Sequence, residues 1–342
     1  MTNNNQPVVV YGAYGHTGNF VVNELLARGW APVLSGRNPD QLLAYGARYP
    51  DLEIRPASVD DPHALDSALA GAAAVINCAG PFLDTALPLV ESALRQRVHY
   101  VDMTAEQQCV LTIYERFTEE AQDKEVVILP AMAFYGGLAD LLATAAMGEA
   151  KRADTIDIAV ALDRWQPTRG TRRTGQRNTH RRLTYTHQQL VPLADPPPTR
   201  PWHFSDPLFG VQEVEGFPLS EIITLSKHLN VNEINTYINR APVQDIHDQE
   251  TPPPEVVDER GRSAQVFLME VAVRAGGKIR RATATGQDIY AVTAPLVVEA
   301  TRRIVEGRMS KTGVVAAGEA FDARDFIRSL PADYLSVDLS GI

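Results

Sequence analysis

The run Val8-Val9-Val10-Tyr11-Gly12-Ala13-Tyr14-Gly15-His16-Thr17-Gly18 constrains this chain more than any other stretch. Strand-type apolar residues lead straight into three glycines placed three apart. A helical pattern then follows through Phe20, Val21, Val22, Leu25 and Leu26 toward Gly29. Glycine lets the backbone turn sharply after a strand and pass close to a phosphate, while a helix N-terminus aims free N–H groups at the anion. Strand, glycine turn and helix start, in that order, form the first βα unit of a sheet that holds a dinucleotide pyrophosphate. Gly12, Tyr14, Gly15, His16, Thr17 and Gly18 are the candidate cofactor-binding residues of that turn.

The second strand, residues 32–35, runs into Gly36-Arg37-Asn38 with no acid where an NAD site places a carboxylate for the ribose diol. The planar arginine fork suits a phosphate dianion instead. The cofactor therefore reads as NADP(H), with Ser35, Arg37 and Asn38 at its phosphate-bearing end. The competing reading of Arg37 is a solvated arginine just past a strand.

At 342 residues the chain has room for two domains and a sizeable core. Its formal net charge of -10 argues against nucleic-acid binding. Two cysteines, Cys78 and Cys109, do not make a disulfide framework and fit a reducing compartment. The polar start Thr2-Asn3-Asn4-Asn5-Gln6 lacks the order of a signal peptide, and no apolar run approaches the roughly 20 residues of a membrane span. A cytoplasmic location with no membrane partner is the expectation. No metal is expected either, because no His, Cys and carboxylate cluster has ligand spacing.

Strand and helix patterns alternate up to about residue 130, which implies a parallel sheet covered on both faces. The third strand falls at 52–56, and Asp60-Asp61-Pro62 caps a helix running to about Gly71. A fourth strand, 73–79, stops at Gly80-Pro81. A helix over 87–96, a strand over 99–102, a helix over 110–124 and a strand over 126–129 follow. The grammar then changes. A short helix at 138–147 precedes a strand at 155–163 whose Ile156, Ile158, Val160 and Leu162 share one face. Residues 265–274 and 278–285 form a hairpin turned at Gly276-Gly277. Between them, 164–260 is rich in proline and charge, with stiff turns at Pro196-Pro197-Pro198 and Pro252-Pro253-Pro254. A last helix carries Val292, Leu296, Ala300 and Ile304 and either begins or kinks at Pro295. The expected fold is α/β: a Rossmann-type doubly wound parallel sheet over residues 1–130, an inserted α+β mixed-sheet domain over 131–285 for substrate and dimer contacts, and a helical segment, 286–342, returning to the first domain.

Ligands of such sheets sit beyond the carboxyl ends of the strands. That rule gathers Cys78, Ala79, Gly80, Pro81 and Phe82 with Asp102, Thr104 and Glu106, and with the loop 131–137. Residues 78–82 and Thr104 are the candidates for the nicotinamide end, although Gly80-Pro81 also reads as a plain strand-ending turn. Cys78 has no histidine partner and reads as a small buried side chain rather than a nucleophile. Hydride transfer to an imine or activated alkene needs a proton donor as well. Tyr135 is the first candidate, followed by Glu106 and Asp102; the other reading of Tyr135 is an aromatic lid. Asp140 is either a cleft residue or an exposed acid on the first turn of a helix. Residues 164–182 hold Arg164, Arg169, Arg172, Arg173, Arg177, Arg181 and Arg182. They form either a clamp for a carboxylate or a phosphopantetheine arm, or a solvated loop paired with the chain's own acids. Arg169 and Arg172, with Phe134, are the candidate substrate-binding residues. His228 reads as structural.

The chain resembles the saccharopine dehydrogenase-like oxidoreductase family, including its trans-acting enoyl reductase-like members. The resemblance is carried by residues 11–18, by Ser35-Gly36-Arg37, by Asn77-Cys78-Ala79-Gly80-Pro81-Phe82 and by Tyr100-Val101-Asp102-Met103-Thr104-Ala105-Glu106. Thr285-Gly286-Gln287-Asp288-Ile289-Tyr290, Thr293-Ala294 and Thr312-Gly313-Val314-Val315 extend it. It implies a dinucleotide domain, an inserted domain carrying a homodimer contact, and hydride chemistry at a nicotinamide. Where members of the family carry a glycine-aspartate-serine loop, this chain has residues 131–137 instead. The expected activity is NADP(H)-dependent reduction of a C=N or polarised C=C bond in a small or acyl-carrier-bound metabolite. The alternative is a non-catalytic NADP(H)-binding redox sensor or structural protein.

Overall fold

The computed structural model describes residues 6–341. The first unit alternates β1 (Val8–Tyr11), α1 (His16–Ala27), β2 (Val33–Gly36), α2 (Pro39–Gly46), β3 (Ile54–Pro56), α3 (Pro62–Leu69), β4 (Ala74–Asn77), α4 (Phe82–Gln96), β5 (His99–Asp102), α5 (Gln107–Asp123) and β6 (Val127–Leu129). A single π-helical turn, Phe134–Leu138, leads into α6 (Ala139–Met147) and the long strand β7 (Ala153–Leu162). Then come α7 (Arg169–Arg177), β8 (Leu183–Thr186), β9 (Gln189–Pro192), β10 (Thr199–His203), β11 (Val211–Gly216), α8 (Ser220–His228), β12 (Val231–Asn239) and α9 (Arg240–His247). The chain closes with β13 (Val266–Ala275), β14 (Lys278–Gln287), α10 (Thr293–Val305), β15 (Gly313–Val314), α11 (Ala317–Ala320), α12 (Ala323–Arg328) and β16 (Leu335–Gly341). No helix among the described residues is long and apolar enough to cross a membrane.

The first sheet is parallel throughout, in the order β15-β6-β5-β4-β1-β2-β3. Its strands are short apolar runs because both faces are covered. Val8, Val10, Leu34, Ile76, Val101 and Leu129 pack into the cluster that includes α1 and α10. Val9, Tyr11, Val33, Val75, Tyr100 and Ile128 pack under α3, α4 and α5. Strand order reverses between β1 and β4, which opens the crevice at their carboxyl ends. The second sheet runs β10-β11-β12-β7-β13-β14-β16, mostly antiparallel, with β12 and β7 parallel. Ile156, Ile158, Val160 and Leu162 share one core with α6, as their alternation requires. On the opposite face Trp202, Phe204 and Phe209 cover Ala159, Ala161 and Leu268.

Several local expectations change. Helix α4 starts at Phe82 rather than residue 87, with Pro88 inside it. Its opening is held by a carboxylate from 24 residues downstream, which no local pattern announces. Helix α10 begins at Thr293, so Pro295 lies in its first turn, where its missing N–H removes no hydrogen bond. It packs on α1, and Arg28 reaches Glu299 at 2.8 Å. The remaining tail is divided: β15 extends the first sheet while β16 edges the second.

Asp140 is neither exposed nor in the crevice. It is fully buried, its Oδ1 accepts the Gly318 N–H (2.8 Å), and His228 Nε2 stands 3.1 Å from the same oxygen. Burial opposes a charge on His228, but the Asp140 carboxylate outweighs it through charge and hydrogen bond and raises the imidazole pKa. A raised histidine pKa stabilises the fold at pH below about 6.5, and that gain is lost as pH rises through the folded value. Wild type should therefore outmelt His228→Gln by more at pH 6 than at pH 9. Parallel melting curves across that range would show that the pair carries no charge.

Candidate functional site

Gly12 has φ +83, and a Cβ there would stand 3.0 Å from Ala79, so the β1 and β4 turns meet at the crevice. A Cβ on Gly18 would fall 2.2 Å from the Gly12 carbonyl oxygen, which fixes glycine at that close approach. Helix α1 opens at His16 with no side chain capping it and no acid in its first turn. Its first N–H groups are left for an anion, which is the fit a pyrophosphate requires. Asn19 accepts from Tyr45 instead, and His16 meets the rings of Phe20 and Tyr290 edge-on.

At the second turn Ser35 is buried: its hydroxyl donates to the Arg55 carbonyl (2.7 Å), and its own carbonyl accepts from Gly12 and Ala13. Arg37 is exposed, with no hydrogen bond or ion pair among the described residues. Asn38 caps α2 through its side chain and sends its N–H to the Tyr14 hydroxyl. Replacing Arg37 with alanine should weaken NADPH binding by roughly 10- to 100-fold, the loss of a charged hydrogen-bonded pair. NADH binding should not change. Calorimetric titration of both cofactors measures the ratio, and an unchanged ratio would assign Arg37 to the solvent.

Asp102 and Glu106 do structural duty. Asp102 is fully buried; its Oδ1 accepts from the N–H of Thr104 (2.9 Å) and of Ala131 (2.8 Å), and its Oδ2 from the Tyr100 hydroxyl (2.9 Å). Burial pushes its pKa up to about 6, against the two backbone N–H groups that pull it down. Ala131, held there, has φ +61, a strained setting for a residue with a Cβ. Glu106 takes the N–H groups of Phe82 (2.7 Å) and Leu83 (3.3 Å) at the start of α4. Burial raises it to about 7 despite those bonds. Thr104 accepts from the Glu106 N–H, and neighbouring Gln107 bonds Leu183 and Leu219 of the second unit. Cys78 is partly exposed at the end of β4, while Cys109 is buried.

Tyr135, on the π-helical turn, stacks on Trp165 at 5.5 Å and meets Phe134 edge-on. It is buried, and its hydroxyl has no hydrogen-bond partner among the described residues. Phe134 packs inward on Phe267. The Trp165 indole N–H donates to Tyr290, whose hydroxyl also meets Thr171 at the start of α7. Helix α7 crosses the crevice mouth: Thr174 Oγ1 lies 3.1 Å from where a Gly80 Cβ would be, and Arg177 pairs with Asp84. The arginine run is mostly occupied. Arg172 donates to the carbonyls of Asp248 and Thr251, and Arg181 to that of Leu193. Arg169 and Arg173 are exposed, without partners among the described residues.

Two contributors, Glu221 and Ser220, escaped the sequence, and a third, Arg182, stood in the arginine run without a place beside Tyr135. Glu221 is fully buried; its Oε1 accepts from the Leu219 N–H, while Oε2 has no partner, Thr236 Oγ1 being near but outside hydrogen-bonding geometry. Burial raises its pKa to about 7. The Ser220 hydroxyl, also unpartnered, abuts Gly136 beside Tyr135. Arg182 lies 3.8 Å above the Phe217 ring, and burial lowers its pKa against the pull of Glu215 and Glu221. Tyr135, Ser220 and Glu221 thus bring buried oxygens without partners among the described residues close together, past the end of β6.

Residues 8–129 match the family model described as the saccharopine dehydrogenase NADP binding domain. A saccharopine dehydrogenase-like oxidoreductase of Bos taurus is 27% identical over 152 residues, 39% of this chain and 35% of that protein. The Homo sapiens protein of the same description is 26% identical over the same shares. The match thus spans about a third of these relatives' length. Apo saccharopine dehydrogenase (L-Glu forming) from Saccharomyces cerevisiae superposes with a TM-score of 0.69 at 12% identity, covering 97% of this chain and 99% of that one. At that identity the likeness is one of fold, and it embraces both sheets. Residues 8–129 are thus a saccharopine dehydrogenase-type NADP-binding domain, similar to part of the saccharopine dehydrogenase-like oxidoreductases, in a chain with the fold of the yeast saccharopine dehydrogenase.

Proposed function

We propose that this chain is an NADP(H)-dependent oxidoreductase that reduces a C=N or polarised C=C bond of a small or carrier-bound metabolite. The observation that carries the reading is the buried, uncommitted Tyr135 hydroxyl at the carboxyl end of the sheet whose first turn fits a dinucleotide. Bound NADPH supplies the hydride. The residues of the chain supply the rest. The open N–H groups of α1 and the free Arg37 hold and orient the phosphates, and α7 covers the crevice against water. Tyr135 carries a proton that burial keeps in place, its pKa lying well above the ordinary tyrosine value. Arg182 opposes that rise, and the nearby Glu221 carboxyl, whose Oε2 has no partner among the described residues, can restore the proton after transfer. Asp102 and Glu106 frame the strand ends instead of reacting. The exposed Arg169 and Arg173 on α7 support an anionic or carrier-borne substrate.

Titration with NADPH and NADH, then NADPH oxidation against imines, keto acids with amines, and enoyl thioesters, tests the proposal. Preference for NADPH with turnover of one class is expected. Tight NADPH binding with silence across the panel would favour a redox sensor. Equal or absent cofactor binding would remove the reading.

A further inference from the structure

The turn that carries Arg37 contains a second feature. A Cβ on Gly36 would lie 2.7 Å from Cε1 of Tyr14, so the tyrosine ring rests on the Gly36 backbone and fills the space of any side chain there. The Tyr14 hydroxyl accepts the Asn38 N–H at 3.3 Å, a long bond, and its own proton is committed to nothing among the described residues. Two uncommitted donors therefore stand on one exposed turn, the Arg37 guanidinium and the Tyr14 O–H, with the Asn38 N–H directed at the Tyr14 hydroxyl oxygen. A carboxylate, the usual acceptor for a ribose diol, is missing from that group. Donors alone suit a phosphate dianion, which has acceptor oxygens for both.

We infer that Tyr14 is a specificity-determining residue for the cofactor, acting in two ways. Its hydroxyl donates to the 2′-phosphate beside Arg37. Its ring bars from position 36 the acidic side chain that would recognise an unphosphorylated ribose. The inference rests on reading residues 12–38 as the NADP(H) site. It adds that discrimination lies in the pairing of Tyr14 with Gly36 as well as in Arg37. It also gives the phenol between Ala13 and Gly15 a role in the glycine turn. The phenol is half-buried, held by the backbone on one side and open on the other.

Tyr14→Phe keeps the ring and removes the hydroxyl. Calorimetric titration should show NADPH and the fragment 2′,5′-ADP binding roughly tenfold more weakly, with NADH unchanged, as expected for one hydrogen bond to a charged group. Gly36→Asp alone should bind neither cofactor well, whereas Gly36→Asp with Tyr14→Ala should gain NADH affinity. Unchanged NADPH binding by Tyr14→Phe, with a loss in Arg37→Ala, would overturn the role of Tyr14 and leave the site standing. Equal weakening of NADPH and NADH would overturn it too, because the hydroxyl would then support only the turn. Failure of the wild-type chain to bind NADPH or 2′,5′-ADP would instead remove the site, and this inference with it.

Discussion

Asp102→Ala is expected to lower stability by about 3–5 kcal/mol, a large part of the roughly 5–15 kcal/mol that holds a typical domain. The change leaves the N–H groups of Thr104 and Ala131 and the Tyr100 hydroxyl without their acceptor. Each stranded buried donor costs about 1–3 kcal/mol, less whatever local relaxation recovers. Ala131 would also lose the bond that keeps it at φ +61. Asp102→Asn keeps a carbonyl oxygen for the two N–H groups and mis-serves only Tyr100, so it should cost about 1–2 kcal/mol. Urea unfolding at pH 7.5 compares the two, and equal losses would mean that the bracket contributes nothing. The pH dependence has a defined sign. The folded carboxyl titrates near 6 and an unfolded one near 3.9, so between those values the fold holds a proton that the open chain has released. The group's contribution therefore falls as pH rises from about 4 to 6, and Asp102→Asn should lack that slope.

Tyr135→Phe should separate chemistry from folding. With the hydroxyl buried and unpartnered, removing it should leave stability unchanged or raise it by about 1 kcal/mol. The ring stack on Trp165 survives, and NADPH affinity should hold. Turnover, measured as NADPH oxidation with whichever substrate class proves active, should fall by about 10²- to 10⁴-fold, the usual worth of a positioned acid. Retained turnover would make Tyr135 an aromatic lid. A large loss of stability would show that the hydroxyl has a partner after all.

The inner strands of the first sheet were legible because they are buried on both faces, so they read as short, largely apolar runs bounded by turn residues; the edges were less so, β3 being half-exposed with Arg55 in it and the two-residue β15 too short to show a pattern. The glycine turn was legible for a related reason: position and backbone geometry decide it, and both lie in consecutive residues. What stayed hidden depends on distant partners. Glu106 looked like a free acid past a strand end, and only folding brings the start of α4 to it. Asp140 obeyed the rule for acids on a helix's first turn, but α8 and α11 cover it. Glu221 and Arg182 stand far from Tyr135 in sequence, inside a stretch whose prolines and charges mask its strands. Their grouping around Tyr135 has no local signature.

The side chain of Gln107 bonds the N–H and carbonyl of Leu183 and the carbonyl of Leu219, one residue after the carboxylate that seats α4. The two sheets are thus fastened to neighbouring residues of one short peptide. Spreading them at this point would break three part-buried hydrogen bonds of the Gln107 amide. Residues 106–107 therefore tie the start of α4 and two segments of the second unit to one stretch of backbone, so the strand ends of the first sheet and the second unit are joined at this point through a single glutamate-glutamine pair.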